Sequence, residues 1–281
     1  MNYICLNGEI LPRKHARLSF DNRAFRYGEA VVELMRSSGI RVPFYPEHFK
    51  RLTRALQVLG LSHAAAFSES SLLRSIELLI HRKKLFKINK ITLTVWREDD
   101  PILLSHKTGI HYLIEAEALD ESQFMLNERG LIADIFPGAY KAKSYLSPFC
   151  TNDQSFKFQA KRYAEQSHFD ACLLTNPEGN IVEEAEGNVF FVNGKTIYTP
   201  SVESGCVDGI IRNKVIEMAK EGGGIINEVK VIPMSFLREV EEIFITNDLY
   251  GIRWIAGYKD VKRYRKRRSV DFVAGLNRLF S

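Results

Sequence analysis

Cysteine is scarce in this 281-residue chain, and none of its four cysteines, Cys5, Cys150, Cys172 and Cys206, stands in a Cys-x-x-Cys pair. That scatter argues against a disulfide framework or a thiolate zinc site and fits a reducing cytoplasm; no metal site is expected. No apolar run approaches the roughly 20 residues needed to cross a bilayer, so no membrane partner is expected. The opening MNYICLNGEILPRKHA lacks the apolar core of a signal peptide. Internal repeats and low-complexity tracts are also lacking. What remains is an ordinary globular composition, with 45% hydrophobic and 26% charged residues, long enough for one large domain or two small ones.

The net charge of +5 is concentrated rather than spread. Lys259 to Arg268 (KDVKRYRKRR) carries seven basic residues against one acid, +6, which leaves the rest of the chain at −1. Such a run reads first as a solvated segment leading into a last helix, SVDFVAGLNRLF. A polyanion would also be attracted to it. A single Tyr makes a poor stacking platform, so nucleic acid is the lesser reading.

The elements alternate. Tyr3 to Leu11 reads as a hairpin around Asn7-Gly8, and AVVELMR as a strand. PEHFKRLTRALQVLGL reads as a helix with Phe49, Leu52, Leu56 and Leu59 on one stripe and Arg51 off it. A second amphipathic helix, SESSLLRSIELLIHRKKL, precedes the strands KITLTVW and GIHYLIEAEAL. The polar segment DESQFMLNERG divides an N-terminal α/β domain (1–120) from a C-terminal one (131–281), with 121–130 as linker. The expected fold is mixed α/β in two lobes with a cleft between them.

From Asp170 to Asn213 the chain reads as short strands broken by the turns NPEGN and VNGK, followed by a Gly-containing loop that opens a helix at Asp208. Glu183 ends an apolar strand, where a carboxylate can pair with a protonated ring nitrogen. The loop SGCVDGII presents successive backbone N–H groups at a helix N-terminus, an arrangement that favours an anion. With Arg51 upstream, these features suggest a site for a phosphorylated ring.

The ordered motifs LNG, FDNRAFRYGEAVVELMR, EHFKRL, DACLLTNPEGNIVEEAEGNVFFV, TPSVESGCVDGIIR and EIFITNDLYGIRW resemble the fold type IV pyridoxal-phosphate enzymes from Leu6 to about Trp254. That family includes branched-chain and D-amino acid aminotransferases and aminodeoxychorismate lyase. The resemblance implies a two-domain fold of the D-amino acid aminotransferase type, a homodimer, and pyridoxal phosphate as cofactor. It also implies amino-group transfer between an amino acid and a 2-oxo acid, or, as a lesser alternative, a lyase reaction. By the same resemblance Arg51 and the backbone at Gly209, Ile210 and Ile211 hold the cofactor phosphate, and Glu183 faces the ring nitrogen. Asn188 and Thr246 fall among the cofactor-binding positions.

Departures accompany the match. Aligned without gaps from Ala160 and Asp170, LSPFCTNDQSF places Cys150 where the family carries its Schiff-base lysine, and a cysteine cannot form an imine. Lys143 and Lys157 are the nearest substitutes; Lys141, in KAKSYL, is a further one that requires an extra loop before the following helix. A thiol nucleophile at Cys150 is a third idea, but no His partner is readable beside it. Ile211 lacks a hydroxyl that the family often has. Glu184 and Glu186 stand where small or hydroxyl residues are common, Asp248 stands where Ser, Thr or Ala is usual, and Glu98 and Asp99 stand where glycine is frequent. Two readings therefore stay open: an aminotransferase whose amine comes from a displaced lysine, and a fold relative that has lost the chemistry and binds a ligand or partner.

Overall fold

A computed structural model describes residues 2–62 and 67–280. The chain divides into two compact units, Met1–Ser122 with Phe149–Asp153, and Gln123–Pro148 with Gln154–Ser281.

In the first unit, β1 (Tyr3–Leu6) and β2 (Glu9–Pro12) form a hairpin. Asn7 and Gly8 both take positive φ there, 51° and 89°, the conformation that suits the twist of a two-residue hairpin. Helix α1 (Arg23–Tyr27) is capped by the Asn22 side chain, which accepts the Phe25 N–H at 2.9 Å. There follow β3 (Ala30–Ser38), α2 (Tyr45–Val58), α3 (Glu69–Lys83), β4 (Ile88–Arg97) and β5 (Ile110–Ala118). Helix α3 opens with a reciprocal capping box between Ser68 and Ser71. The sheet runs β2-β1-β5-β4-β3 and is antiparallel throughout. Its outer edge at β3 is extended by Phe149–Asp153: the Val32 N–H donates to the Cys150 carbonyl, and the Asn152 N–H to that of Ala30.

Helix α2 departs from its expected stripe. Its buried face is Tyr45, His48, Arg51, Leu52, Ala55 and Leu56, so Arg51 lies inside the unit. A guanidinium can be buried there because β3 supplies Glu33 as its counter-charge.

The second unit contains β6 (Leu131–Ile135), α4 (Ser155–Gln166), β7 (Ala171–Thr175), β8 (Ile181–Glu184), β9 (Asn188–Asn193) and β10 (Thr196–Pro200). It continues with α5 (Ile210–Glu221), β11 (Ile225–Val229), β12 (Glu242–Asn247), β13 (Gly251–Tyr258), β14 (Lys262–Arg263) and α6 (Arg268–Phe280). The strands run β11-β10-β9-β12-β13-β6-β7-β8, with β14 beside β13, and the pairs β10/β11, β6/β13 and β6/β7 are parallel. Strands β7 and β8 are buried along their whole length, as expected of strands covered on both faces. One face packs Leu173, Val189, Phe191 and Ile243 into a core, and Leu174 and Val182 on the other meet Ala160 and Ala164 of α4. The architecture is the mixed α/β fold expected from the sequence.

Phe124, within the polar segment expected to link the domains, is buried in the second unit, with its ring 4.9 Å from Phe280 and its backbone held at both ends by Asn277. The basic run after β13 is partly neutralised: Lys259 pairs with Asp134 at 2.9 Å and Arg263 with Asp260 at 3.4 Å. Its one aromatic, Tyr264, is buried with its hydroxyl donating to the Leu237 carbonyl. Among the described residues no helix is long and apolar enough to cross a membrane, and no His, Cys, Asp and Glu side chains cluster to hold a metal.

Candidate active site

The site in the second unit starts from strand alternation. Glu183 and Glu184 are neighbours on β8, so their side chains leave opposite faces of the sheet. Glu183 is 1% exposed. Its Oε2 accepts the Val207 N–H at 3.0 Å, and its Oε1 lies 2.7 Å from the Lys141 Nζ and 3.9 Å from that of Lys157. Lys141 is brought there by its backbone: its N–H donates to the Thr175 carbonyl at 2.8 Å, which sets the irregular segment after β6 beside the end of β7. β7 in turn pairs with β8 through Leu174 and Glu183. Burial pushes the Glu183 carboxyl up, but Lys141, Lys157 and the Val207 N–H outweigh it and hold the group below the usual carboxylate range.

Among the described residues no ion pair is seen for Glu184, and Lys157 acts on it only at a distance. Glu184 accepts backbone N–H groups from Cys172 at 3.3 Å and Glu186 at 2.8 Å, and burial still pushes its carboxyl up to about 7. Glu186 pairs with Lys161 at 2.6 Å. The two extra carboxylates noted in the sequence are thus tied to a neighbouring strand and to α4.

The loop before α5 is clamped from three sides. Asn188, at the start of β9, donates its side-chain N–H to the Val207 carbonyl at 2.7 Å, and Glu183 takes the Val207 N–H. At Gly209, the N-cap of α5, a Cβ would meet the Asn188 Oδ1 at 2.2 Å, so a side chain there would have to displace the Asn188 amide. Asp248, just beyond β12, accepts the Ile211 N–H at 3.2 Å. A carboxylate suits a helix N-terminus for the reason a phosphate does: unsatisfied N–H groups and the helix dipole both favour an anion there. Ile210 and Ile211 are buried, as is Thr246, whose hydroxyl has no hydrogen-bond partner among the described residues.

The other candidates lie elsewhere. In the first unit Arg51 makes a bidentate fork to Glu33, Nε to Oε1 at 2.9 Å and Nη2 to Oε2 at 2.7 Å, and the His48 Nδ1 lies 2.9 Å from the same carboxylate. Burial would raise the Glu33 carboxyl; Arg51 and His48 together hold it low. Cys150 belongs to the edge segment of that unit, and Lys143 is exposed. Glu33 and His48 escaped the sequence reading. The available signals were an acid inside the apolar strand AVVELM and the spacing of His48 and Arg51, three residues apart on one helix face.

Pyridoxal phosphate carries a protonated ring nitrogen at one end and a phosphate dianion at the other. Glu183 would suit the ring nitrogen, but that contact is made by the Lys141 ammonium. The Ile211 N–H would suit the phosphate, but it is taken by a carboxylate that repels a dianion. Arg51 is forked onto Glu33. As arranged, these residues do not fit the phosphorylated cofactor.

Comparisons with known proteins bear on this geometry. The model of the family described as amino-transferase class IV matches residues 30–258. A protein of Rickettsia bellii (strain RML369-C), described as a probable branched-chain-amino-acid aminotransferase, is 27% identical over 237 residues, covering 82% of this chain and 78% of its own. The aminodeoxychorismate lyase of Bacillus subtilis (strain 168) is 26% identical over 262 residues, covering 89% and 84%. Similarity at this level therefore does not choose between the two reactions. The fold is shared with the branched-chain amino acid aminotransferase of Thermobaculum terrenum, solved in its pyridoxal-phosphate form, with a TM-score of 0.85, 18% identity, and coverage of 100% of this chain and 95% of that one.

Proposed function

This chain belongs to the class IV aminotransferase family, and we propose that it is a member that has left pyridoxal-phosphate-dependent amino transfer and keeps the fold as a binding protein. The observation that carries this reading is the Lys141 ammonium in contact with the buried carboxylate that would otherwise face the cofactor ring. Cys150 supports it, since a thiol at the position matched to the family lysine offers no amine for attachment. The test is incubation with pyridoxal phosphate, borohydride reduction and peptide mapping. No stoichiometric lysine adduct is expected; one adduct at a single lysine overturns the reading.

A second reading, amino-group transfer between an amino acid and a 2-oxo acid, is favoured by one feature of the same contact. Lys141 places a mostly buried amine beside Glu183. On that reading the cofactor would supply an electron sink, Glu183 would hold its ring nitrogen protonated, and Lys141 would move the substrate proton. An adduct mapping to Lys141 would decide for it.

A second copy of this chain is the proposed partner. Phe20, Phe25, Ile102, Leu103 and Leu104 are exposed, and Arg23 gathers the last loop by donating to the Ile102 and Leu103 carbonyls, leaving an apolar surface of the kind that marks an interface. Sedimentation equilibrium checks it: a monomer at all concentrations would refute the dimer.

A further inference from the structure

We propose that two side chains of this chain stand in for the two charged ends of pyridoxal phosphate, the Lys141 ammonium for the ring nitrogen and the Asp248 carboxylate for the phosphate. The inference rests on the reading above and says what took the cofactor's place.

The exchange is matched in sign and position. A cation faces Glu183 and an anion faces the N-terminus of α5. Both contacts bear on one short loop: Glu183 also holds the Val207 N–H, while Asp248 holds the Ile211 N–H four residues on. Asn188 ties the Val207 carbonyl from a third direction and packs against the Cα of Gly209. The loop therefore keeps the shape of an anion cradle while two of its donors, the Val207 and Ile211 N–H groups, are taken by carboxylates of the chain itself. A buried carboxylate such as Glu183 is costly without a counter-charge, so the ammonium stabilises the second unit in a way a dissociable ligand could do only when bound. Asp248 adds direction, because a dianion entering the cradle meets a carboxylate already placed on its donor.

It follows that the cradle is blocked rather than dismantled, and that removing the two stand-ins reopens it. The probe is pyridoxine phosphate, an alcohol that forms no bond with any lysine, followed by equilibrium dialysis against the wild type, Lys141→Met, Asp248→Thr and the double variant. The wild type is expected to bind weakly, with the double variant at least about ten-fold tighter. Wild-type binding as tight as that of the double variant overturns the proposal. Circular dichroism checks folding. Should the double variant not fold, inorganic phosphate is titrated against Asp248→Thr, and a gain below about three-fold over the wild type overturns the proposal equally. Because the probe lacks an aldehyde, these outcomes are independent of the borohydride experiment. A wild-type adduct at Lys141 would sink the functional reading, whereas unchanged affinity in the variants would sink the stand-ins alone.

Discussion

Replacing Lys141 with Met keeps the length of the side chain and removes the charge, which leaves Glu183, 1% exposed, with the Val207 N–H at 3.0 Å and Lys157 at 3.9 Å. Breaking a buried ion pair by deleting one partner costs about 3–5 kcal/mol. The carboxylate has an escape, because it can take up a proton. From an ordinary value near 4.3, protonation near pH 7 costs about 3.7 kcal/mol, which caps the loss. Lys157 lowers it further, so about 2–3 kcal/mol is expected. The sign with pH follows from the lowered Glu183 value: its stabilisation is present above the unfolded carboxylate value and lost as pH falls through the folded one. Between about pH 7 and about pH 5 the wild-type contribution is constant, because its loss lies below the unfolded carboxylate value. In the variant the stranded carboxyl takes up a proton on folding, so the difference between the two should shrink as pH falls from about 7 to about 5, at most by about 1.4 kcal/mol per pH unit. Urea unfolding reads this in a Trp96→Phe background, where Trp254 alone reports on the second unit. Adding Glu183→Gln should recover part of the loss, since the stranded charge is gone. A loss below about 1 kcal/mol near pH 7, or one that does not change with pH, would refute the pairing.

Glu184 should act oppositely: with its carboxyl raised to about 7, its stabilisation is complete below the unfolded value and lost as pH rises through 7, by up to about 3 kcal/mol. Glu184→Gln should flatten that slope in urea midpoints measured across this range, and an unchanged slope would refute it. Cys150→Lys alone should yield no borohydride-stable adduct with pyridoxal phosphate, because the contacts at Glu183 and Ile211 remain filled; an adduct mapped to residue 150 would show that the site still admits the cofactor. Gly209→Ala should push the Asn188 amide off the Val207 carbonyl and cost about 1–3 kcal/mol in unfolding free energy, and a change under about 0.5 kcal/mol would show that the contact gives way freely.

The hairpin at Asn7-Gly8, the amphipathic helices and the buried strands β7 and β8 were legible because each rests on local rules of turn chemistry, periodicity or continuous apolarity. Glu183 and the cradle before α5 were legible for the same reason, as a strand end and a loop–helix junction. What the sequence hid was pairing across distance. Arg51 looked like a projecting arginine because Glu33, eighteen residues away, could not be seen to face it. Lys141 ranked behind Lys143 and Lys157 because both lie nearer to Cys150 along the chain, whereas what brings Lys141 to Glu183 is the register of its backbone with Thr175.

Asp248 shows how the same residue reverses its meaning once its partner is known. In the sequence it is an acid near an expected phosphate and therefore a repulsive misfit. In the structure it accepts the Ile211 N–H, and at a helix N-terminus that contact is stabilising. Both statements hold, and together they argue for exclusion: the carboxylate can remain there only if the dianion does not come. Lys141 obeys the same logic with the opposite sign, since its ammonium can rest on Glu183 only while no protonated ring claims the same oxygen. Two independent substitutions of charge, each favourable alone and each incompatible with the same ligand, are better explained by replacement of that ligand than by a site waiting for it.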